Sequence, residues 1–222
     1  MKFLTISKFL LTLILPFLIF LAVFNFYGLD AGFYKEKFLV YNIQQNVPNA
    51  VSINERVINF ITGKNNDVPN EFSDREKQHL QDVKKVVGIS TIVLYVLIVV
   101  FIALLAISAL TLRINNYITN FVGKVLVFGG FLTIILAVIL FLFISSDFSA
   151  AFESFHTLLF QKGTYSFDPA KEMIVRLYPE QIFMDLGADI SKGAIISSFI
   201  IISAGLYLLF RSKNKKNKNT WK

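Results

Sequence analysis

The sequence predicts an all-α membrane protein with four transmembrane helices and a small extracytoplasmic cap formed by two outer segments. Hydrophobic residues make up 55% of the 222 residues and charged residues 17%, against about 45–50% and about 25% in soluble domains. All 15 acidic residues fall in two long polar segments between the apolar stretches. Cysteine is absent, which excludes a disulfide framework and a thiolate nucleophile.

Four apolar stretches are candidate membrane spans: Phe9–Leu29, Val86–Leu112, Phe121–Ser146 and Ala194–Phe210. The first three exceed the roughly 20 residues that cross a hydrocarbon core of ~30 Å. The fourth is shorter, but Lys192 and Arg211 at its ends are long enough to snorkel to the headgroups. The predicted organisation is N-terminus and first helix 1–29, outer segment 30–85, second helix 86–112, cytoplasmic loop 113–120, third helix 121–146, outer segment 147–192, fourth helix 193–210 and basic tail 211–222.

A cleaved signal peptide is the alternative interpretation of the first stretch, because Lys2 and Lys8 precede an apolar run. The run is longer than an apolar signal region of about 7–15 residues, and no A-x-A-like site follows it. We therefore expect a retained span. Cleavage would leave the orientation of the other three helices unchanged.

The distribution of charge predicts which side of the membrane each segment occupies. Residues 1–8, 113–124 and 211–222 contain ten basic residues and no acid, and the two outer segments contain the other twelve basic residues and every acid. Cytoplasmic loops are enriched in Lys and Arg, so both termini are expected in the cytoplasm of a bacterial cell. The basic tail is expected to contact anionic membrane lipid, and no nucleic-acid partner is expected.

The outer segments contain local helix signals. Ser52-Ile-Asn-Glu55 and Ser73-Asp-Arg-Glu76 match the capping-box pattern, in which Ser and Glu side chains bond each other's backbone N–H groups. The first predicts a short helix beginning at Ser52 and ending before Gly63. The second predicts a helix that runs directly into the second span.

Two prolines mark boundaries in the second outer segment. Asp168-Pro169 is expected to start a helix, with Asp as the N-cap and Pro in the first helical position, and Pro179 marks a further boundary. Residues 33–43 are ambiguous between strand and helix.

The sequence has two histidines, His79 and His156, one in each outer segment. Imidazole is the side chain whose ordinary pKa lies near neutral pH. On helices, His79 would lie roughly 10 Å and His156 roughly 15 Å from the hydrocarbon edge. The two are candidate catalytic residues at matching depth. The alternative is two interfacial histidines on amphipathic helices.

Carboxylates at helical spacing are candidate supports for the imidazoles. Glu76 and Asp82 lie three residues either side of His79, and Glu153 lies three residues before His156, so each shares a helix face with its histidine. The alternative is a solvated helix face and, for Glu76, the capping role. We expect no metal, since the H-E-x-x-H spacing is absent, and no cofactor, since phosphate- and dinucleotide-binding fingerprints are absent.

Two longer blocks resemble a known family. Phe72–Lys84, which contains R-E-K-Q-H-L-Q-D-V-K, resembles the r-E-x-x-H-x-x-D-V-K block of a four-span bacterial membrane family. Residues 152–183 resemble its second block, F-H-x-x-x-F…G-x-[WY]-x-F-D-P…P-x-x-F, with Tyr165 where we expect Trp to be commoner. On these blocks the chain resembles the lipoprotein intramolecular transacylase family.

The resemblance implies an acyltransferase that acts on diacylglyceryl-modified lipoproteins in the plasma membrane. The sn-2 acyl chain would move to the α-amine of the N-terminal cysteine, giving lyso-form lipoprotein, with His79 and His156 as catalytic residues on the extracytoplasmic face. His156 is the preferred base, because Glu153 has no competing cap role and is available to orient its ring. Two alternatives stay open: a non-enzymatic accessory protein of the same fold, and a lipid-ester hydrolase.

Overall fold

The computed structural model describes residues 2–112, 115–161 and 163–219, which form helices and turns with no strand among them. The helices are α1 (Lys2–Gly28), α2 (Ala31–Val40), α3 (Ile43–Asn46), α4 (Ala50–Ile61), α5 (Asp74–Leu112), α6 (Asn115–Ser146), α7 (Phe148–Leu159), α8 (Met173–Leu177) and α9 (Glu180–Asn219). The ambiguous residues 33–43 therefore belong mainly to helix, in α2 and the start of α3.

Within the described residues, four helices, α1, α5, α6 and α9, are long and apolar enough to cross a membrane. Large apolar side chains along them are exposed, among them Ile92, Val99, Leu110 and Ile200. Lipid tails accommodate such side chains, so the chain is a multi-pass membrane protein. The predicted loop 113–120 is helical from Asn115 onward, while Arg113 and the end of the basic tail, 220–222, lie outside the described residues.

The helix α5 is longer than a bilayer is thick. Its 39 residues extend roughly 58 Å, about twice the hydrocarbon core. Its first turns, residues 74–85, contain seven charged side chains and lie outside the apolar segment that begins at Val86. The sequence correctly predicted this continuous helix.

One compact unit consists of the chain up to Val23, Val93–Leu140 and the chain from Ser191. Its helices approach closely where side chains are small: a Cβ atom on Gly123 would lie 2.9 Å from the carbonyl oxygen of Gly205, and the reverse holds. The hydroxyls of Ser7 and Ser108 form a buried hydrogen bond of 2.8 Å. Small residues and buried hydroxyl pairs of this kind join transmembrane helices.

The second unit consists of Phe24–Ile92 and Phe141–Ile190 and contains nearly all of both predicted outer segments. Residues from both segments share one hydrophobic core, which includes Phe38, Ile53, Phe72, Leu177 and Ile182. An ion pair and a hydrogen bond also join the two outer segments. Lys37 pairs with Asp185 at 2.9 Å, and the Tyr178 hydroxyl donates to Asn54 Oδ1 at 2.9 Å.

The two capping-box predictions have opposite outcomes. Ser73 N donates to Glu76 Oε2 at 2.7 Å, and Glu76 N donates to Ser73 Oγ at 3.4 Å, so the second box is confirmed. The first is wrong, because α4 begins at Ala50 after the N-cap Asn49 and Ser52 lies inside the helix. Gly63 does follow the end of α4, with a φ of 77° that favours glycine.

The predicted helix start at Asp168-Pro169 is also wrong. Residues 169–171 form a turn, closed by Asp168 Oδ1, which accepts from Ala170 N at 2.9 Å. The helix α8 begins only at Met173. Pro179 is confirmed as a boundary, since α9 starts at Glu180.

Candidate active site

The two histidines lie face to face in the second unit. His79 on α5 and His156 on α7 have ring centroids 6.2 Å apart and ring planes inclined by 21°. Both side chains are buried, with 7% and 9% of their surface exposed. The structure thus brings together the two residues that the sequence selected, although they are 77 positions apart in the chain.

A backbone carbonyl fixes the orientation of the His156 ring. His156 Nδ1 lies 2.8 Å from the carbonyl oxygen of Phe152, one turn earlier in α7. A carbonyl oxygen only accepts, so Nδ1 must carry the proton, and in the neutral ring Nε2 keeps its lone pair. Nε2 is therefore the nitrogen that is available as a base.

Glu153, which we expected to orient His156, bonds another residue. Its Oε1 accepts a hydrogen bond of 2.8 Å from the Tyr165 hydroxyl. The Tyr165 ring in turn lies 5.0 Å from the His156 ring, between centroids. Glu153 therefore bonds Tyr165, the position where the family block permits Trp or Tyr, and acts on His156 through its charge.

His79 is surrounded by aromatic rings. Phe160 and Phe167 lie 5.0 Å and 5.4 Å from its ring, between centroids. Its Nδ1 is buried and has no hydrogen-bond partner among the described residues. A buried nitrogen without a partner is uncommon and costly, which makes it a candidate contact for a substrate atom.

The two expected supports of His79 have other partners. Both carboxylate oxygens of Glu76 accept backbone N–H groups, Oε2 from Ser73 and Oε1 from Ile174 at 2.6 Å. Asp82 pairs with Lys85 at 2.8 Å. Neither is a partner of His79 Nδ1, so Asp82 acts on His79 only through its charge.

One residue of this site escaped the sequence analysis. Arg75 donates to the carbonyl oxygens of Gly163 and Ser166 and lies over the Phe167 ring, 5.0 Å from its centroid. It thereby holds the segment that places Phe167 against His79. Arg75 and His79 are four residues apart on α5, a spacing that puts them on one helix face; that spacing was the available signal.

Burial keeps both imidazoles neutral. Burial and the neighbouring His156 lower the pKa of His79 from 6.5 to about 4, although the Asp82 charge opposes the shift. Burial also lowers the pKa of His156, partly offset by the Phe152 carbonyl and by Glu153. Near neutral pH both rings are therefore neutral, and each has one unprotonated nitrogen that can accept a proton.

We expect a nitrogen-15 NMR titration of histidine-labelled protein to report these states directly, because the chain has only two histidines. His79 should stay neutral as the pH falls from about 7 to about 5, and His156 should be the Nδ1–H tautomer. Since the unfolded chain takes up these protons first, the free energy of unfolding should fall over the same range. An imidazolium signal at His79 above pH 6 would contradict this assignment; the His156→Ala variant assigns the two signals.

Comparison with known proteins shows the family of the chain. The family model for the lipoprotein intramolecular transacylase Lit matches residues 5–183, which covers both histidines and most of the chain. The chain belongs to this family. The transacylase block around His79 forms the start of α5, and the block around His156 forms α7 and the segment that follows it.

A solved member of the transacylase family has the same fold. The membrane-integral lipoprotein intramolecular transacylase Lit from Bacillus cereus is 22% identical to this chain and superposes with a TM-score of 0.82, over 95% of this chain and 97% of that one. Two structures of the Bacillus cereus protein with a histidine substitution superpose with TM-scores of 0.77 and 0.71.

An uncharacterized protein of Aquifex aeolicus is 25% identical over 139 residues, which are 63% of this chain and 55% of that protein. The chain thus spans about half the length of the curated relative that it matches.

Proposed function

We propose that this transacylase-family member moves the sn-2 acyl chain of a diacylglyceryl-modified lipoprotein to the α-amine of its N-terminal cysteine. The product is an N-acyl, S-monoacylglyceryl lipoprotein. The observation that carries the proposal is the buried, face-to-face pair of neutral imidazoles, His79 and His156. Amine and ester belong to one substrate molecule, so holding them together supplies much of the rate.

His156 is the general base. As the neutral amine attacks the ester carbonyl and the N–C bond forms, Nε2 accepts the N–H proton, because Nδ1 already donates to Phe152. The same proton then passes from Nε2 to the sn-2 oxygen as the ester C–O bond breaks. The amine proton thus ends on the leaving hydroxyl, and no protein group is altered.

His79 assists at the ester. Its Nδ1 lacks a partner among the described residues, and its lowered pKa keeps the ring neutral. In the tautomer with a proton on Nδ1, it donates a hydrogen bond to the carbonyl oxygen, on which negative charge develops during attack. Donors aimed at such an oxyanion are a large contribution to acyl-transfer catalysis.

The aromatic surroundings favour transfer over hydrolysis. Rings of Phe152, Phe160, Phe167 and Tyr165 contact one or both imidazoles, which leaves little room for a competing water. Exclusion of water protects an acyl group from hydrolysis.

The site is proposed to face the extracytoplasmic side of the plasma membrane, with both termini in the cytoplasm. The segregation of acidic residues into 30–85 and 147–192 supports this orientation. Lipoproteins that carry a lipid on their first cysteine are anchored in the outer leaflet there, so substrate and site would share one surface.

Mass spectrometry of lipoprotein N-termini tests the function. We expect expression in a bacterium that makes only diacylglyceryl lipoproteins to convert a reporter lipoprotein to the N-acyl, lyso form of the same total mass. Release of free fatty acid, with a mass lower by one acyl chain, would instead indicate the hydrolase. An unchanged reporter at normal expression would favour the accessory protein.

A further inference from the structure

The helix α7 has an exposed apolar surface on the side that does not face His79. Phe155, Leu158 and Leu159 are 54%, 82% and 38% exposed, whereas His156 on the same helix is buried. Leu158 is the most exposed large hydrophobic residue of the described chain. None of the three has a role in the proposed chemistry.

The spacing of these residues makes one continuous stripe. At about 100° per residue, Leu158, Phe155 and Leu159 fall within an arc of roughly 100° on α7. Glu153 and Thr157 lie on the opposite side of the helix, and Ser154 lies about 40° beyond Leu158, at the border of the stripe; all three are exposed. An exposed helix with one apolar and one polar face is suited to a boundary between lipid and water.

The position of α7 in the chain identifies that boundary. The membrane-crossing helix α6 ends at Ser146, and α7 begins at Phe148, where the Asp147 side chain accepts a hydrogen bond from Ala150 N at 2.9 Å. Near the end of α6, Leu142 and Phe143 are 59% and 43% exposed, as expected for a lipid-facing span. The apolar stripe therefore follows a lipid-facing surface directly along the chain.

We propose that α7 lies along the membrane surface and inserts Phe155, Leu158 and Leu159 into the boundary between headgroups and acyl chains, in the leaflet where α6 ends. Glu153, Ser154 and Thr157 then face headgroups and water. The occupant of this surface is the lipid bilayer, because the stripe continues a lipid-facing helix and is bordered by a polar row. This inference does not depend on the transacylase proposal.

Insertion has one consequence for the proposed reaction, and this step does rest on that proposal. His156 is next to Phe155 on α7, so anchoring the stripe holds the imidazole near the depth of glycerolipid ester groups. A substrate ester would reach the base from the side, within the bilayer, without first leaving it.

Depth-dependent fluorescence quenching tests the insertion. The chain has one tryptophan, Trp221, so Trp221→Phe gives a silent background for a single Leu158→Trp probe. The matched control is Thr157→Trp, which is adjacent in sequence and exposed on the polar face. Each full-length variant is reconstituted in phosphatidylcholine vesicles whose acyl chains are brominated near the carbonyl end, and aqueous iodide is the second quencher.

We expect the brominated lipid to quench Leu158→Trp on the order of threefold more strongly than Thr157→Trp, and iodide to show the opposite order. Equal quenching of the two probes, or stronger iodide quenching at Leu158→Trp, would overturn the insertion. Protection of Leu158→Trp from both quenchers would also overturn it and indicate a protein partner or a second copy on this surface. Conversion of a diacylglyceryl lipoprotein added to the same vesicles tests the transacylase proposal separately.

Discussion

Replacing His156 by alanine should lower the rate of lyso-form lipoprotein production by about 10²–10⁴-fold, the usual contribution of a positioned acid–base group. His79→Ala should fall in the same range, because it removes the donor to the developing oxyanion. The double variant should lose little more than either single variant, since residues that act as one unit are strongly non-additive. Single-turnover conversion of a purified diacylglyceryl lipoprotein, followed by mass spectrometry, measures these rates.

Two controls separate chemistry from packing. His79→Phe keeps an aromatic ring against Phe160 and Phe167, so it should preserve the thermal unfolding temperature and still lose activity. Thr157→Ala alters an exposed neighbour of His156 and should keep the full rate. A double histidine variant that converts substrate at the wild-type rate and expression level would exclude the proposed mechanism.

The membrane spans and the histidine pair were predictable because each depends on information that is local in sequence. A span needs only an apolar run of sufficient length, and His79 and His156 were selected because the sequence has one imidazole in each outer segment. The long-range contacts around the pair were not predictable in this way. Arg75, for example, holds the segment that places Phe167 against His79, and it does so by bonding Ser166, which is 91 positions away.

Tertiary packing also decided which of the two capping-box patterns forms a helix cap. The patterns at Ser52 and Ser73 are alike in sequence, but only the second caps a helix. Before Ser52, Val47 and Ala50 are buried in the core, and the α4 helix that contains Ala50 has already begun. Burial of apolar side chains outweighs a cap, which contributes about 1 kcal/mol.

The carboxylates show the same limit. Spacing along a helix placed Glu153 beside His156 and Glu76 beside His79, yet each carboxylate also has a hydrogen-bond partner outside its own helix. Glu153 binds Tyr165, and Glu76 binds the backbone of Ile174. Sequence spacing identifies residues on one helix face, whereas long-range contacts decide which of them pair.

Glu76→Ala should therefore act on stability first, with a loss of about 3 kcal/mol in the free energy of unfolding of the second unit. Glu76 is 2% exposed, and its removal leaves two backbone N–H groups, those of Ser73 and Ile174, without their charged acceptor. A hydrogen bond to a charged group is worth about 1.5–3 kcal/mol. Thermal unfolding in detergent, followed by circular dichroism, measures the loss.

The matched control is Glu55→Ala, since Glu55 holds the same place in the capping-box pattern that the structure does not form. Glu55 is exposed on α4, so its replacement should change stability by less than about 0.5 kcal/mol. Glu76→Gln keeps one carbonyl acceptor and should fall between the two. If Glu76 instead supported His79 directly, Glu76→Ala would lower the conversion rate at an unchanged unfolding temperature. That result would show that Glu76 supports His79 in catalysis.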